Sequence, residues 1–259
     1  MLLAIDAGNT NVVMGLYDGE RLVADWRLST PPSWTGDEVA ILLSDLFSLR
    51  GLELSTVTDV VIGSVVPHLT PGLEEASEAH LKVQPVVVGP GVKTGIRIAI
   101  ENPKEVGADR IANTLAAFRK YGGPAIVIDL GTAVTYDAIS AAGEYLGGAI
   151  SPGVGISLDA LLAHTAKLVR VELVAPDAVI GRSTVSAIQS GLLWGFVGQI
   201  EGMVRRITDE LGGTARVIAT GGQAGMVAGL THVIDEVDPQ LTLEGLRLIH
   251  LQNLPDGGT

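Results

Sequence analysis

Short apolar runs and helically spaced apolar residues alternate along this chain, and together they lay out its elements. Leu2–Ile5, Asn11–Tyr17 and Arg21–Leu28 read as three strands, with Asp18-Gly19 as a hairpin turn. After a loop at Thr30-Pro31-Pro32-Ser33, Thr35-Gly36-Asp37-Glu38 leads into a helix whose Val39, Leu42, Leu43, Leu46 and Phe47 recur at helical spacing. Val57–Ser64 reads as a strand, Leu73–His80 as a helix, and Val86–Val88 as a short strand opened by Pro85. A connector, Ile96–Glu105, leads to Gly107-Ala108-Asp109-Arg110, which opens a helix with Ile111, Leu115 and Phe118 on one face. Gly122-Gly123 stops that helix. Strands follow at Ala125–Ile128, Val134–Ile139 and Glu144–Ile150, then helices over Gly155–Leu162 and Ser186–Leu211. A last strand, Ala215–Ala219, ends at Thr220-Gly221-Gly222. This is a mixed α/β order. The tail after Leu251, closing with Pro255-Asp256-Gly257-Gly258-Thr259, reads as a mobile end.

One unit of this pattern occurs twice. Ile5-Asp6-Ala7-Gly8-Asn9-Thr10-Asn11 and Ile128-Asp129-Leu130-Gly131-Thr132-Ala133-Val134-Thr135 each leave an apolar run, place an Asp at its end and turn at a Gly two residues on. Both continue into a strand that reaches a Gly-Glu turn, at Gly19-Glu20 and Gly143-Glu144, the second copy being one residue longer. The repetition predicts a duplicated architecture with two carboxylates facing one cleft. With no low-complexity linker between the halves, the boundary is expected inside the helix that begins near Asp109, giving domains 1–112 and 113–259.

Composition narrows the chemistry. The formal charge is -12, and no basic stripe is present to displace phosphate counterions, so nucleic acid is not the expected partner. There is no cysteine, which removes disulfides and thiolate metal sites and fits a cytoplasmic protein. No apolar run is long enough for a membrane helix, and the N-terminus lacks the pattern of a secretory signal. His68, His80, His164, His232 and His250 are scattered, with no pair at metal-ligand spacing. An acidic protein that binds a polyanionic nucleotide needs metal cations or backbone donors to help.

The turns offer such donors. Gly8 permits close backbone approach, and Asn9, Thr10 and Asn11 add short polar side chains in a concavity suited to phosphate. Asp6 can hold a cation or its water shell. A single copy reads more readily as a plain hairpin with a capping Asp; two copies in equivalent places reverse that preference in favour of the phosphate reading. Thr132 offers a hydroxyl and an amide, and Thr220-Gly221-Gly222 a flat backbone for a base or ribose, though a tight turn explains the glycines as well. Asp109 is the catalytic candidate. At a helix start its ionised form is expected to be favoured by amides and dipole, and such a carboxylate can accept a proton from an attacking hydroxyl. Asp is also a favoured N-cap residue, which is the plainer reading. Thr184 is expected to cap the helix that follows Ile180-Gly181-Arg182-Ser183.

Together these segments resemble the type III pantothenate kinases, within the superfamily of actin, sugar kinases, acetate kinase and heat-shock chaperone ATPases. The resemblance runs in order through Asp6–Asn11, Asn102-Pro103 to Arg110, Asp129–Thr135, Gly147-Gly148-Ala149-Ile150-Ser151-Pro152-Gly153 and Ile180–Thr184 with Ala187–Gly191. It implies two ribonuclease-H-like, actin-like ATPase domains, mixed sheets flanked by helices, with a cleft between them. It also implies ATP-dependent phosphorylation of the primary hydroxyl of pantothenate, the first step of coenzyme A biosynthesis, by a homodimer. By that resemblance Asp6, Ala7, Gly8, Asn9, Thr10, Asn11, Val12, Val13 and Thr132 bind ATP with its magnesium, and Asp129 holds potassium or ammonium. Ile100, Gly107, Ala108, Asp109, Arg110 and Thr184 meet pantothenate, with Asp109 as proton acceptor. The family often carries an aromatic residue, usually Tyr, where this chain has Ile100, so a phenol contact to the substrate is replaced. Two other readings remain open: another small-molecule kinase of the superfamily, or a nucleotide-dependent regulatory protein that has lost turnover.

Overall fold

The computed structural model describes residues 1–165 and 168–254; the tail 255–259 lies outside them. The chain forms two compact units, Met1–Lys120 joined by the chain from Gln240, and Tyr121–Pro239. Each is built on a five-stranded mixed sheet.

In the first unit the strands are β1 (Leu2–Ala7), β2 (Asn11–Asp18), β3 (Arg21–Ser29), β4 (Asp59–Ser64) and β5 (Val86–Val87), in the order β3-β2-β1-β4-β5. β1, β2 and β3 pair antiparallel, while β4 and β5 join parallel to β1. β1 is central and covered on both faces, which is why its sequence is a continuous apolar run. Leu3, Ile5 and Ala7 face one core with Val39, Leu43 and Phe47 of α1 (Gly36–Leu49) and Leu73 of α2 (Thr70–Glu75). Leu2 and Ala4 face the other, with Ile111, Ala112 and Leu115 of α3 (Ala108–Tyr121) and Leu243, Leu246 and Ile249 of a C-terminal helix. α1 starts at a capping box in which Thr35 and Glu38 exchange bonds, as the Thr-x-x-Glu spacing allows. α2 begins at Thr70, earlier than the apolar spacing predicts, and passes through a π-helical turn to Leu81 before left-handed Lys82 ends it.

The second unit repeats the scheme with β6 (Ala125–Leu130), β7 (Ala133–Ile139), β8 (Tyr145–Pro152), β9 (Arg216–Thr220) and β10 (Glu236–Val237), in the order β10-β9-β6-β7-β8. Strand directions match as well: β7 and β8 antiparallel, β9 and β10 parallel. Ile126, Ile128 and Leu130 bury against Phe196, Ile200 and Val204 of α5 (Thr184–Glu210), with Val154 of α4 (Val154–Ala163) and Val227 of α6 (Ala224–Ala228). The duplicated architecture expected from the two Asp-Gly turns is therefore present as two copies of one sheet.

The division expected between residues 112 and 113 falls inside α3 and is not where the units part. α3 stays whole because its inner face packs on β1 and β4, and because α7 (Leu241–Gln252) returns to lie beside it. The two helices approach so closely at Gly245 that a Cβ there would stand 2.0 Å from the Ala112 carbonyl oxygen. Gly245→Ala is therefore expected to cost about 1–3 kcal/mol through overpacking. An unchanged denaturation midpoint in urea would show that the helices separate at no cost.

Candidate active site

Asp6 is the penultimate residue of β1, and the turn that follows is tied down at three points. The Gly8 N–H donates to the Asn11 carbonyl at 3.0 Å, the Thr30 hydroxyl donates to the Gly8 carbonyl at 2.5 Å, and the Thr30 N–H donates to the Thr10 carbonyl at 3.0 Å. Gly8 eases a close approach rather than a left-handed backbone: a Cβ would lie 3.1 Å from the Asn11 oxygen, tighter than most side chains pack. Asn9 and Thr10 are exposed at the tip, Asp6, Asn11 and Val13 are half-buried, and Ala7 and Val12 are buried.

The same corner of this unit receives the start of α3. Along β1, Asp6 follows Ala4 onto the sheet face that α3 and α7 cover, because side chains alternate along a strand. Its parallel partner on β4 is Gly63, where a Cβ would lie 3.6 Å from the Ala108 Cβ. Beyond β4, the Val65 N–H donates to the Ala7 carbonyl at 3.0 Å, and a Cβ on Gly107 would lie 3.3 Å from Val65 Cγ1. Through Gly63 and Val65 the fold brings the Asp6 turn to Gly107, Ala108, Asp109 and Arg110. None of Thr30, Gly63 and Val65 stood out in the sequence, since each acts only through a contact distant along the chain.

Asp109 is half-buried in the first turn of α3. Burial pushes its carboxyl above the ordinary carboxylate range, against the opposing pull of the Arg110 N–H bond and the Arg110 charge. This corrects the expectation that the helix start would favour the ionised form: desolvation is the larger effect. The bond from Arg110 N to Asp109 Oδ1 is 2.8 Å. Gly107 gives the Asp109 carboxylate its space, as a Cβ there would stand 2.5 Å from the same oxygen. Ile100 is half-buried in the connector ahead of this turn.

In the second unit Asp129, the penultimate residue of β6, pairs with Thr220 near the carboxyl end of the two parallel strands. The Gly131 N–H donates to the Ala133 carbonyl at 3.1 Å, the Gly153 N–H to the Thr132 carbonyl at 3.0 Å, and the Gln223 N–H to the Leu130 carbonyl at 3.1 Å. Gly221 has φ +89, and a Cβ there would stand 2.4 Å from Asp129 Oδ1. The left-handed backbone and the close approach to Asp129 and Leu130 both call for glycine at this position. A carboxylate is an oxygen ligand of the kind that suits a hard cation. Among the described residues no three His, Asp or Glu side chains gather as a metal-binding group.

Thr132 is exposed on the turn. Thr184 is exposed as the first residue of α5, and the cap is Ser183, whose hydroxyl accepts from the Ser186 N–H; the expectation that Thr184 caps is one residue late. A depression of about 500 Å³ lined by Pro124, Thr214, Ala215, Arg216 and Asp235 lies where β6 and β9 begin. It is at the far end from Asp129, and sheets of this kind bind ligands outside the carboxyl ends of their parallel strands.

Two five-stranded sheets of one order, each with an aspartate near the end of its central strand, make up a duplicated ribonuclease-H-like fold. Residues 2–206 match the family model described as Type III pantothenate kinase. A Moorella thermoacetica protein of that name is 54% identical over 253 residues, covering 98% of this chain and 100% of its own length. The chain belongs to the type III pantothenate kinases. Among solved structures, a Campylobacter jejuni chain named as a Baf family transcriptional activator aligns with a TM-score of 0.61 at 21% identity, over 97% of this chain and 98% of its own. The polyphosphate/ATP-glucomannokinase of an Arthrobacter strain aligns at 0.53 and 17% identity, over 97% and 99%. At such identities the likeness establishes the fold alone. No helix among the described residues is long and apolar enough to cross a membrane.

Proposed function

We propose that this chain transfers the terminal phosphoryl group of ATP to the primary hydroxyl of pantothenate, the first step towards coenzyme A, with Asp109 as the base. Family membership carries the reaction. The assignment of Asp109 rests on one observation: a carboxylate raised in pKa by burial, held by the Arg110 N–H, in the corner that also holds the Asp6 turn. Such a group accepts a proton more readily than an exposed Asp, and phosphoryl transfer otherwise asks the protein mainly for positioning and charge neutralisation. The Asp6–Val13 turn and Thr132 would hold the ATP phosphates, with magnesium arriving on the nucleotide. Ile100, Gly107, Ala108, Arg110 and Thr184 would surround pantothenate. A coupled assay of ATP consumption with and without pantothenate tests the reaction. Turnover indifferent to pantothenate, or faster on a sugar, would overturn it.

Asp129 would hold a monovalent cation, and its place at the carboxyl ends of the parallel strands β6 and β9, where sheets of this kind bind ligands, supports this. When bound, the cation would supply positive charge that offsets the approach of a polyanionic nucleotide to acidic groups. Replacing potassium or ammonium by sodium is expected to slow turnover by roughly tenfold or more. Full rate in sodium alone would remove Asp129 from this role. A cytoplasmic homodimer is the expected form, and the exposed Val179, Ile180 and Val185 beside Thr184 offer apolar surface for a second copy. Sedimentation as a monomer at micromolar concentration would refute it.

A further inference from the structure

Asn253, at the C-cap of α7, grips a loop that precedes the acceptor segment. Its Oδ1 accepts from the Lys93 N–H at 3.0 Å, and its Nδ2 donates to the Lys93 carbonyl at 2.9 Å. One carboxamide thus satisfies both backbone groups of Lys93, as a neighbouring strand would. The same Nδ2 donates to the Ile249 carbonyl at 2.8 Å, which is the ordinary work of a helix cap. Capping needs only that bond, so the two bonds to Lys93 serve the loop.

The loop needs such a hold. It reads Gly89-Pro90-Gly91-Val92-Lys93-Thr94-Gly95, with Gly91 at φ +97 and Gly95 at φ +75, a composition that resists ordering. It threads between two helices: a Cβ on Gly95 would lie 3.2 Å from Gln252 Cγ of α7 and 3.4 Å from Leu115 Cδ1 of α3. Val92, Ile96 and Ile98 then pack against Ala108, Ile111, Leu115, Leu246 and Ile249. Ile100 follows two residues later, and Gly107 ends the connector. By contrast, the turn at Asp6 is tied by Thr30, and Thr132 by Gly153.

We propose that Asn253 is a positioning residue for pantothenate: by clamping Lys93 it fixes the path of Gly95–Ile100 and so the wall that Ile100 and the Gly107–Arg110 turn present to the acceptor. The inference rests on the assignment of that segment to pantothenate. Because the nucleotide turns are anchored independently, the clamp governs one substrate and not the other.

The test is Asn253→Ala in the full-length enzyme, with steady-state kinetics in both substrates and amide exchange along the chain. Losing the two clamp bonds is expected to raise KM for pantothenate by about tenfold, with kcat and KM for ATP within about twofold of wild type. Exchange should quicken across Lys93–Glu105 and stay unchanged at Asp6–Asn11. Faster exchange with an unaltered KM for pantothenate would overturn the proposal. So would a parallel rise of both KM values with a lowered melting temperature, which would make Asn253 a structural cap alone. In the wild-type enzyme, pantothenate should slow exchange across Ile96–Arg110. If it does not, the acceptor assignment itself falls, and the clamp with it.

Discussion

Asp109→Asn is expected to lower kcat by roughly 10²–10⁴-fold, the range general base catalysis supplies, in a protein that stays folded. Asn keeps the volume and an oxygen that can accept from the Arg110 N–H, but it cannot take a proton from the acceptor hydroxyl. The fold should lose nothing and could gain. Burial raises the Asp109 pKa in the folded state, so the native protein binds its proton more tightly than the unfolded chain does. Ionising it therefore costs stability as pH rises from the ordinary Asp value through the raised one, and above the raised value that cost is present in full. The Asn variant removes it. The same shift predicts that kcat/KM falls on acidification at a higher pH than an ordinary Asp would give, and that this limb disappears in the variant. Near-wild-type turnover of Asp109→Asn, with the acid limb intact, would remove Asp109 from the base role.

The second large effect is expected at Gly107. Its missing side chain leaves room for the Asp109 carboxylate, since a Cβ would stand 2.5 Å from Oδ1 and 3.3 Å from Val65 Cγ1. In Gly107→Ala the carboxylate must swing or the turn must move against β4, and a displacement of about 1 Å at a reacting group costs on the order of 10²-fold in rate. Combining the changes separates cause from coincidence. If alanine acts by misplacing Asp109, Gly107→Ala in the Asp109→Asn background should add little, because the group it disturbs is already gone. Losses that multiply fully in the double variant would show that Gly107 acts on something other than this carboxylate.

Much of the fold was legible because it is written in local pattern. The apolar runs ending at Asp6 and Asp129 are central strands, and Thr35 with Glu38 forms the capping box their spacing implies. The repeated Asp-to-Gly-Glu spacing foretold two sheets of one topology. Where neighbouring cues competed, positions slipped: Ser183, not Thr184, caps α5, since two adjacent hydroxyl residues can both fill that role and only the backbone angle of Ser183 chooses.

The candidate site was legible as a set of residues and not as an arrangement. Asp6, Asp109 and Asp129 stand out in sequence because an Asp at a strand end or helix start, beside a glycine, is visible within a few positions. That Asp6 and the start of α3 share a corner depends on Gly63 pairing with Asp6 and meeting Ala108. That Asp129 meets Gly221, 92 positions along the chain, depends on β6 pairing with β9.

The sequence by itself determined most of the strands, helices and turns as far as Thr220, that the unit is used twice, and which side chains are candidates for phosphoryl transfer. Those properties follow from side-chain shape and polarity over short windows. The tertiary structure alone decided that α7 returns to α3, so that the first unit closes with the end of the chain, and that Asp109 is raised in pKa where its position in the helix suggested the opposite. Both are products of burial, which is set by what packs around a residue and not by its neighbours along the chain.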